Sequence, residues 1–243
     1  MDRYQGWARR YRYVLKLDVA RYFPSIDHDI LKEKIRRHLK DRPTLELIDT
    51  IIDSSPGYPE SPRYFPGDDL FTPIVRRAGI PIGNLTSQFF ANLYLDAFDH
   101  FVKERLGAKA YLRYVDDMVL LDNDKGRLSE LRDAIGARLQ LDRLRLHPRK
   151  AEIMPVRVGV DVLGYRVFPN HRLLRNDNGH RFARKLRRYA DGYGAGRLNF
   201  ADFDPSVQSW LGHARHADTR GLRRTIFRAI PFRRGAGQTA TSA

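Results

Sequence analysis

The order of apolar patterns along this chain predicts an α+β fold: an antiparallel sheet backed by two helices in split β-α-β order, followed by a helical region. Three observations carry that expectation. Strand-like and helix-like periodicities alternate through the first 168 residues. Two adjacent carboxylates, Asp116 and Asp117, interrupt an apolar hairpin, and most of the net positive charge lies beyond residue 165.

Residues 11–20 read as a strand that ends near Asp18, and 28–40 as a helix with Leu31, Ile35 and Leu39 on one face. A second helix follows at 44–53. The stretch from Ser55 to Gly83 holds six prolines and four glycines, which makes it loop and hairpin. Asn84 to Leu106 reads as one long helix, capped by Asn84 or Thr86, with Phe90, Leu93, Ala97, Phe101 and Leu106 near one stripe. A hairpin at 110–122, a helix from Leu128 to Leu139, and strands around 150–157 and 160–168 complete the sheet region. Residues 180–230 read as helices with a turn near Arg197 to Asp204, and the tail 233–243 as a disordered end.

Composition bounds the function. A chain of 243 residues, 42% of them hydrophobic, buries a real core and fits one domain or two unequal ones. It contains no cysteine, which excludes disulfides and thiolate metal sites. Net charge is +15, favouring a polyanionic partner. From Arg166 to Arg234 there are 16 Lys and Arg against five Asp. The run Arg181 to Tyr189 carries four Arg and one Lys with no acidic partner, the pattern of a phosphate-binding face rather than a merely solvated helix. No stretch of 18 apolar residues and no charged-then-apolar leader is present, so a cytoplasmic protein without a membrane partner is expected.

The chemistry is concentrated at Asp116-Asp117. An Asp pair at a turn is ordinarily turn chemistry alone. Here Tyr-Leu-Arg-Tyr-Val precedes it and Met-Val-Leu-Leu follows, so the two charges sit in an apolar strand pair and call for a neutralising cation. Asp18 ends another apolar strand, and antiparallel pairing would bring it beside the hairpin. Three such carboxylates suit two Mg²⁺ in an arrangement for in-line phosphoryl transfer.

Tyr114-Val115-Asp116-Asp117 resembles the YxDD box of reverse transcriptases. Leu15 to Leu31 is similar to that family's first palm motif, and Gly79 to Leu95 to its second. Leu146-His-Pro-Arg-Lys150 and Val162 to Val167 match the lysine-bearing segment and the primer-grip hairpin. Within the family, Ile82-Gly83, Ser87-Gln88 and Phe23-Pro-Ser-Ile-Asp-His28 resemble the enzymes of diversity-generating retroelements, which copy a template RNA with errors concentrated at adenines.

The resemblance implies a right-hand polymerase: a palm over 1–168 with remnant fingers at 55–83, and a basic helical thumb over 169–232. It implies an RNA-directed DNA polymerase acting on template RNA, a cDNA primer and dNTPs. Asp18, Asp116, Asp117 and Lys150 are then catalytic, and Asp18, Asp116, Asp117 and the Val19 carbonyl hold two Mg²⁺, with Mn²⁺ as a substitute. Phe23, Ile82, Gly83 and Gln88 are implied at the nucleotide. Leu163, Gly164, Tyr165, Arg184, Lys185, Arg187 and Arg188 are implied at the nucleic acid. Only 17 residues precede Asp18, so the fingers are expected to be largely absent. Their cations are then replaced by Arg9, Arg10 and Arg12 or by Arg76-Arg77, or supplied by an accessory protein or second chain. Retron-like, group II intron-like and defence-associated enzymes, or an RNA-binding remnant that needs a partner, are the alternatives.

Overall fold

Beyond a short opening helix, α1 (Asp2–Ala8), Tyr13–Asp18 forms β1, an inner strand that buries Val14, Leu15 and Leu17. With β2 (Tyr111–Tyr114), β3 (Asp117–Asp122) and β4 (Glu152–Pro155) it forms an antiparallel sheet of order β2-β3-β1-β4. A computed structural model describes residues 1–55, 63–81 and 83–234. They fall into two compact units, one spanning Arg10–Pro155 and the other joining Met1–Arg9 to the chain from Val156 onward. Helix and antiparallel sheet are both present, as the sequence predicts.

In the first unit, Leu15, Leu17, Met118 and Leu120 meet the apolar faces of α3 (His28–His38) and α8 (Lys125–Leu141). Leu31 and Ile35 supply the α3 face; Leu128, Leu131, Ile135 and Leu139 supply the α8 face. The short helix α2 (Tyr22–Ser25) leads into α3, and α4 (Arg42–Asp53) follows it. The 55–83 stretch holds only a four-residue helix, α5 (Thr72–Val75), among its described residues.

The long helix expected at 84–106 is instead three pieces: α6 (Leu85–Tyr94), α7 (Asp96–His100) and a π-turn at Phe101–Arg105. Leu95, at φ −99° and ψ 9°, breaks the ladder. The inward face runs through Phe90, Tyr94, Phe98 and Val102 rather than Phe90, Leu93, Ala97, Phe101 and Leu106. Apolar residues lie on both candidate stripes, so the pattern alone does not choose. Asn84 is the N-cap residue of α6, without a side-chain cap bond.

Two buried polar clusters tie these helices together. Lys34 and Arg138 both donate to Asp142, and Lys34 also donates to the Tyr94 carbonyl. Asp27 caps α3 through the Asp29 and Ile30 amides and takes Arg143 at 2.6 Å on its other oxygen. Arg76 lies between Asp68 and Asp27, binding the 63–81 segment to the α3 start.

The second unit has its own three-stranded sheet, β5 (Val160–Val162), β6 (Tyr165–Val167) and β7 (Arg172–Leu174). The apolar pattern at 160–168 reads as one strand, while the resemblance implies a hairpin at Val162–Val167; the chain forms the hairpin, turned at Leu163 and Gly164 with φ of 49° and 85°. Successive positive φ values give the tight turn that matches strand twist. Helix α1 belongs here: Gln5 donates to the Phe168 carbonyl, and Arg172 donates to Gln5. Three helices follow, α9 (Asn176–Gly194), α10 (Phe200–Ala214) and α11 (Arg220–Ala229). Phe182 and Trp210 stack at 3.8 Å between α9 and α10. The expected disordered tail at 233–243 falls, from residue 235 on, outside the described residues.

Candidate active site

The β2–β3 hairpin closes on Tyr114 paired with Asp117, leaving Val115 and Asp116 as its two-residue turn. Val115 has φ of 57°, a left-handed conformation that costs a side-chain-bearing residue on the order of 1–2 kcal/mol. In the neighbouring pair, β1 and β3 register Asp18 directly opposite Asp117. The Val19 amide donates to the Asp116 carbonyl at 3.4 Å. Asp18, Val19, Asp116 and Asp117 therefore meet at one end of the sheet. Burial, together with the negative charges of Asp117 and Asp18, raises the Asp116 carboxyl above the ordinary range.

The connection after α8 pairs with the end of β1. Leu146 bridges to Val19, the Ala20 amide donates to the Arg145 carbonyl, and the His147 amide donates to the Asp18 carbonyl at 2.7 Å. This pairing carries Lys150 to Asp18, where its ammonium donates to Oδ2 at 2.7 Å. The hydrogen bond to Asp18 raises the Lys150 pKa, so the lysine stays protonated.

The donor set consists of carboxylates and a backbone carbonyl, hard oxygens of the kind Mg²⁺ and Mn²⁺ take, and the crowding of negative charge on Asp116 suits a cation. Among the described residues, however, no three acidic or imidazole side chains form a ready ligand cluster. One oxygen of Asp18 is bonded to the Lys150 ammonium.

Phe23 is half-buried on α2, edge-on to Tyr22 at 5.7 Å. Tyr22 is core, its hydroxyl donating to the Ala91 carbonyl of α6. The Ile80 amide donates to the Phe23 carbonyl and Gly79 to that of Ile26, so the Gly79-Ile80 segment runs alongside α2. Gly83 has φ of +106° with open space around it, and Gln88 is exposed on α6. Ile82 lies outside the described residues. Arg76 and Arg77 do not stand as free phosphate cations: Arg76 is buried between Asp68 and Asp27, and Arg77 donates to the Asp53 carbonyl at 2.6 Å.

Sequence reading missed Arg113. Its guanidinium is 8% exposed and makes a two-pronged pair with Asp99. A charged residue in an otherwise apolar strand was the available signal.

In the second unit Arg184, Arg187 and Arg188 are exposed along α9, and Lys185 is half-buried with its ammonium over Tyr189. A cleft of about 580 Å³ opens between α9 and α10, bordered by Arg181, Lys185, Arg188, Ser206 and Ser209. Leu163 is partly exposed at its turn. Tyr165, expected at the nucleic acid, is buried, with its hydroxyl donating to the His213 carbonyl at 2.9 Å. The alternation of β6 turns it inward. Among the described residues no helix is long and apolar enough to cross a membrane.

Comparison with known proteins agrees with this geometry. Protein YkfC of Escherichia coli (strain K12) is 24% identical over 191 residues, which is 65% of this chain. The chain spans 47% of that relative's length. Residues 4–167 match the model of the family described as reverse transcriptase (RNA-dependent DNA polymerase). With the two strands that carry Asp18 and the Asp116-Asp117 turn inside that match, the chain belongs to the reverse transcriptase family.

Proposed function

We propose that this chain is an RNA-directed DNA polymerase that extends a DNA primer on an RNA template with dNTPs. The observation that carries this reading is the β1–β3 register, which sets Asp18 opposite Asp117 and beside Asp116 in a chain of this family. Asp18, Asp116, Asp117 and the Val19 carbonyl are the groups to hold two Mg²⁺, for which Mn²⁺ can substitute. Divalent ions bound there supply positive charge to the primer 3′-oxygen and to the departing pyrophosphate. As the 3′-oxygen bonds to the α-phosphorus, the bond to the β-phosphate oxygen breaks. The hydroxyl proton leaves to solvent, and Lys150, held protonated beside Asp18, delivers a proton to the pyrophosphate.

In this reading the Arg10–Pro155 unit is the palm. The unit from Val156 onward carries the primer-grip turn at Leu163-Gly164 and a thumb, with Arg184, Lys185, Arg187 and Arg188 on template–primer backbone. The structural division at Pro155 precedes the thumb boundary read at 168, because β5–β7 cluster with the helices. The narrower reading is the error-prone enzyme of a diversity-generating retroelement. It rests on Ile82-Gly83 and Ser87-Gln88, where an apolar side chain offers the nucleotide shape without an orienting hydrogen bond.

A second reading, in which polymerisation requires an accessory protein or second chain, is favoured by the exposed apolar group Leu70, Phe71, Ile74 and Val75. Primer extension by the purified chain on an RNA template tests both. Metal-dependent extension that Asp116→Asn reduces to background, with folding retained, is the expected result. Substantial extension by Asp116→Asn would remove the assignment. Activity restored only by an added partner supports the second reading. Sequencing the cDNA tests the subtype, with excess misincorporation opposite template adenines expected.

A further inference from the structure

The turn that carries Asp116 holds a β-branched residue, Val115, at φ 57°, in a hairpin where the left-handed region is usually given to glycine or asparagine. Such a conformation persists where the surroundings over-determine it. Here they include the Val19 amide on the Asp116 carbonyl, the packing of Val115 against the core, and one charged side chain. Arg113, two residues earlier on β2, donates from one terminal nitrogen to the Val115 carbonyl at 3.0 Å, the peptide group immediately preceding Asp116. The same nitrogen reaches Asn92 Oδ1 at 3.3 Å. Its Nε and its other terminal nitrogen grip Asp99 at 2.9 and 2.6 Å, and that second nitrogen also approaches the Asn92 carbonyl at 3.5 Å. Five contacts use the five donors of a guanidinium.

The far side of the grip is equally fixed. Asp99, on α7, also accepts the buried Tyr111 hydroxyl at 2.6 Å, so its carboxylate cannot swing away without breaking three bonds. Asn92 is on α6 and Asp99 on α7, the two helical pieces that meet at Leu95. Arg113 thus connects the turn to helices behind it, and it touches none of the carboxylates at the sheet end.

We propose that Arg113, held by Asp99, is a positioning residue that fixes the Val115-Asp116 turn, and so sets the aspartate oxygens for divalent metal binding and nucleotide transfer. This rests on the polymerase reading. Lysine at this position keeps the charge and can bond Asp99. With one point of charge and no planar fork, it cannot also hold Val115 and Asn92.

The test compares wild type, Arg113→Lys and Asp116→Asn by Mn²⁺ titration followed by electron paramagnetic resonance, and by single-nucleotide extension. Thermal melts monitor folding. Arg113→Lys is expected to weaken Mn²⁺ binding roughly 10- to 100-fold. Its kcat is expected to fall on the order of 100-fold with the dNTP KM little changed. Should Arg113→Lys not fold, Asn92→Ala, which keeps the ion pair, replaces it, and a weakened Mn²⁺ affinity is again expected. Unchanged Mn²⁺ affinity and kcat in the folded variant, beside an active wild type, overturns the positioning role alone. A wild-type chain that neither binds Mn²⁺ nor extends primers removes the polymerase reading and this inference with it.

Discussion

Phe23 stands five residues beyond Asp18 on a helix pinned to α6 through its neighbour Tyr22, so its ring has little freedom to retreat. In the proposed polymerase it meets C2′ of the incoming nucleotide. Phe23→Ala is then expected to lower discrimination against ribonucleotides by roughly 10- to 100-fold, read as the ratio of kcat/KM for dNTP and NTP. An unaltered ratio would dissociate Phe23 from sugar selection. The residues of the sheet end were legible in the sequence because ionised side chains inside apolar strands are costly, and cost draws the eye. Asp18, Asp116 and Asp117 stand out in that way, whereas Lys150 was picked out by the family resemblance alone. Arg113 carries the same signal, but what it does was not legible, since its partners Asn92 and Asp99 belong to two other elements and spacing along the chain does not show what a guanidinium reaches. The burial of Tyr165 was not legible for a related reason: a strand of three residues shows too little alternation to say which face is inward.

At the scale of elements, α3, α6 and α8 are joined by polar groups as well as apolar ones. Lys34 on α3 is 10% exposed and shares Asp142 with Arg138 of α8, while the Tyr94 hydroxyl of α6 donates to the Asp142 carbonyl at 2.7 Å. Asp142→Ala would leave Lys34 buried without its counter-charge. A loss of about 3 kcal/mol in unfolding free energy is expected, measured by urea denaturation. Replacing Lys34 by Met in the same protein should recover part of it, because the stranded charge is then gone. Strands β1 to β4 and helices α3, α4 and α8 were readable, since each carries one clear period or a clean breaker at its end. The interruption at Leu95 was not: both stripes of 84–106 are apolar, and which one faces inward depends on tertiary packing. Strand β7 and helix α1 are too short for any period to emerge.

Across the whole molecule the charge asymmetry is the plainest message of the sequence, and its chemical consequence is salt dependence. Arg184 and Arg188 both extend from α9 into solvent. If they lie on template–primer backbone, Arg184→Gln with Arg188→Gln should reduce the slope of log affinity against log salt by roughly 0.9 per residue for a duplex. Fluorescence anisotropy of a labelled RNA–DNA hybrid measures this, and equal slopes for variant and wild type would put the contact elsewhere. The loss should be independent of base sequence. Where the chain divides was hidden from any local reading, because the division is made by contacts between residues more than 150 positions apart.

The docking of α1 onto the β6–β7 region has a bearing on biogenesis. Gln5 and Arg9 bond to the carbonyls of Phe168 and Pro169, which a ribosome reaches only after the aspartate-bearing sheet is fully made. The sheet can thus assemble during synthesis while the opening helix waits, unsatisfied, for its late-arriving hosts. An affinity tag fused at Met1 therefore burdens the unit that resumes at Val156 first, although more than 150 residues of sequence lie between them.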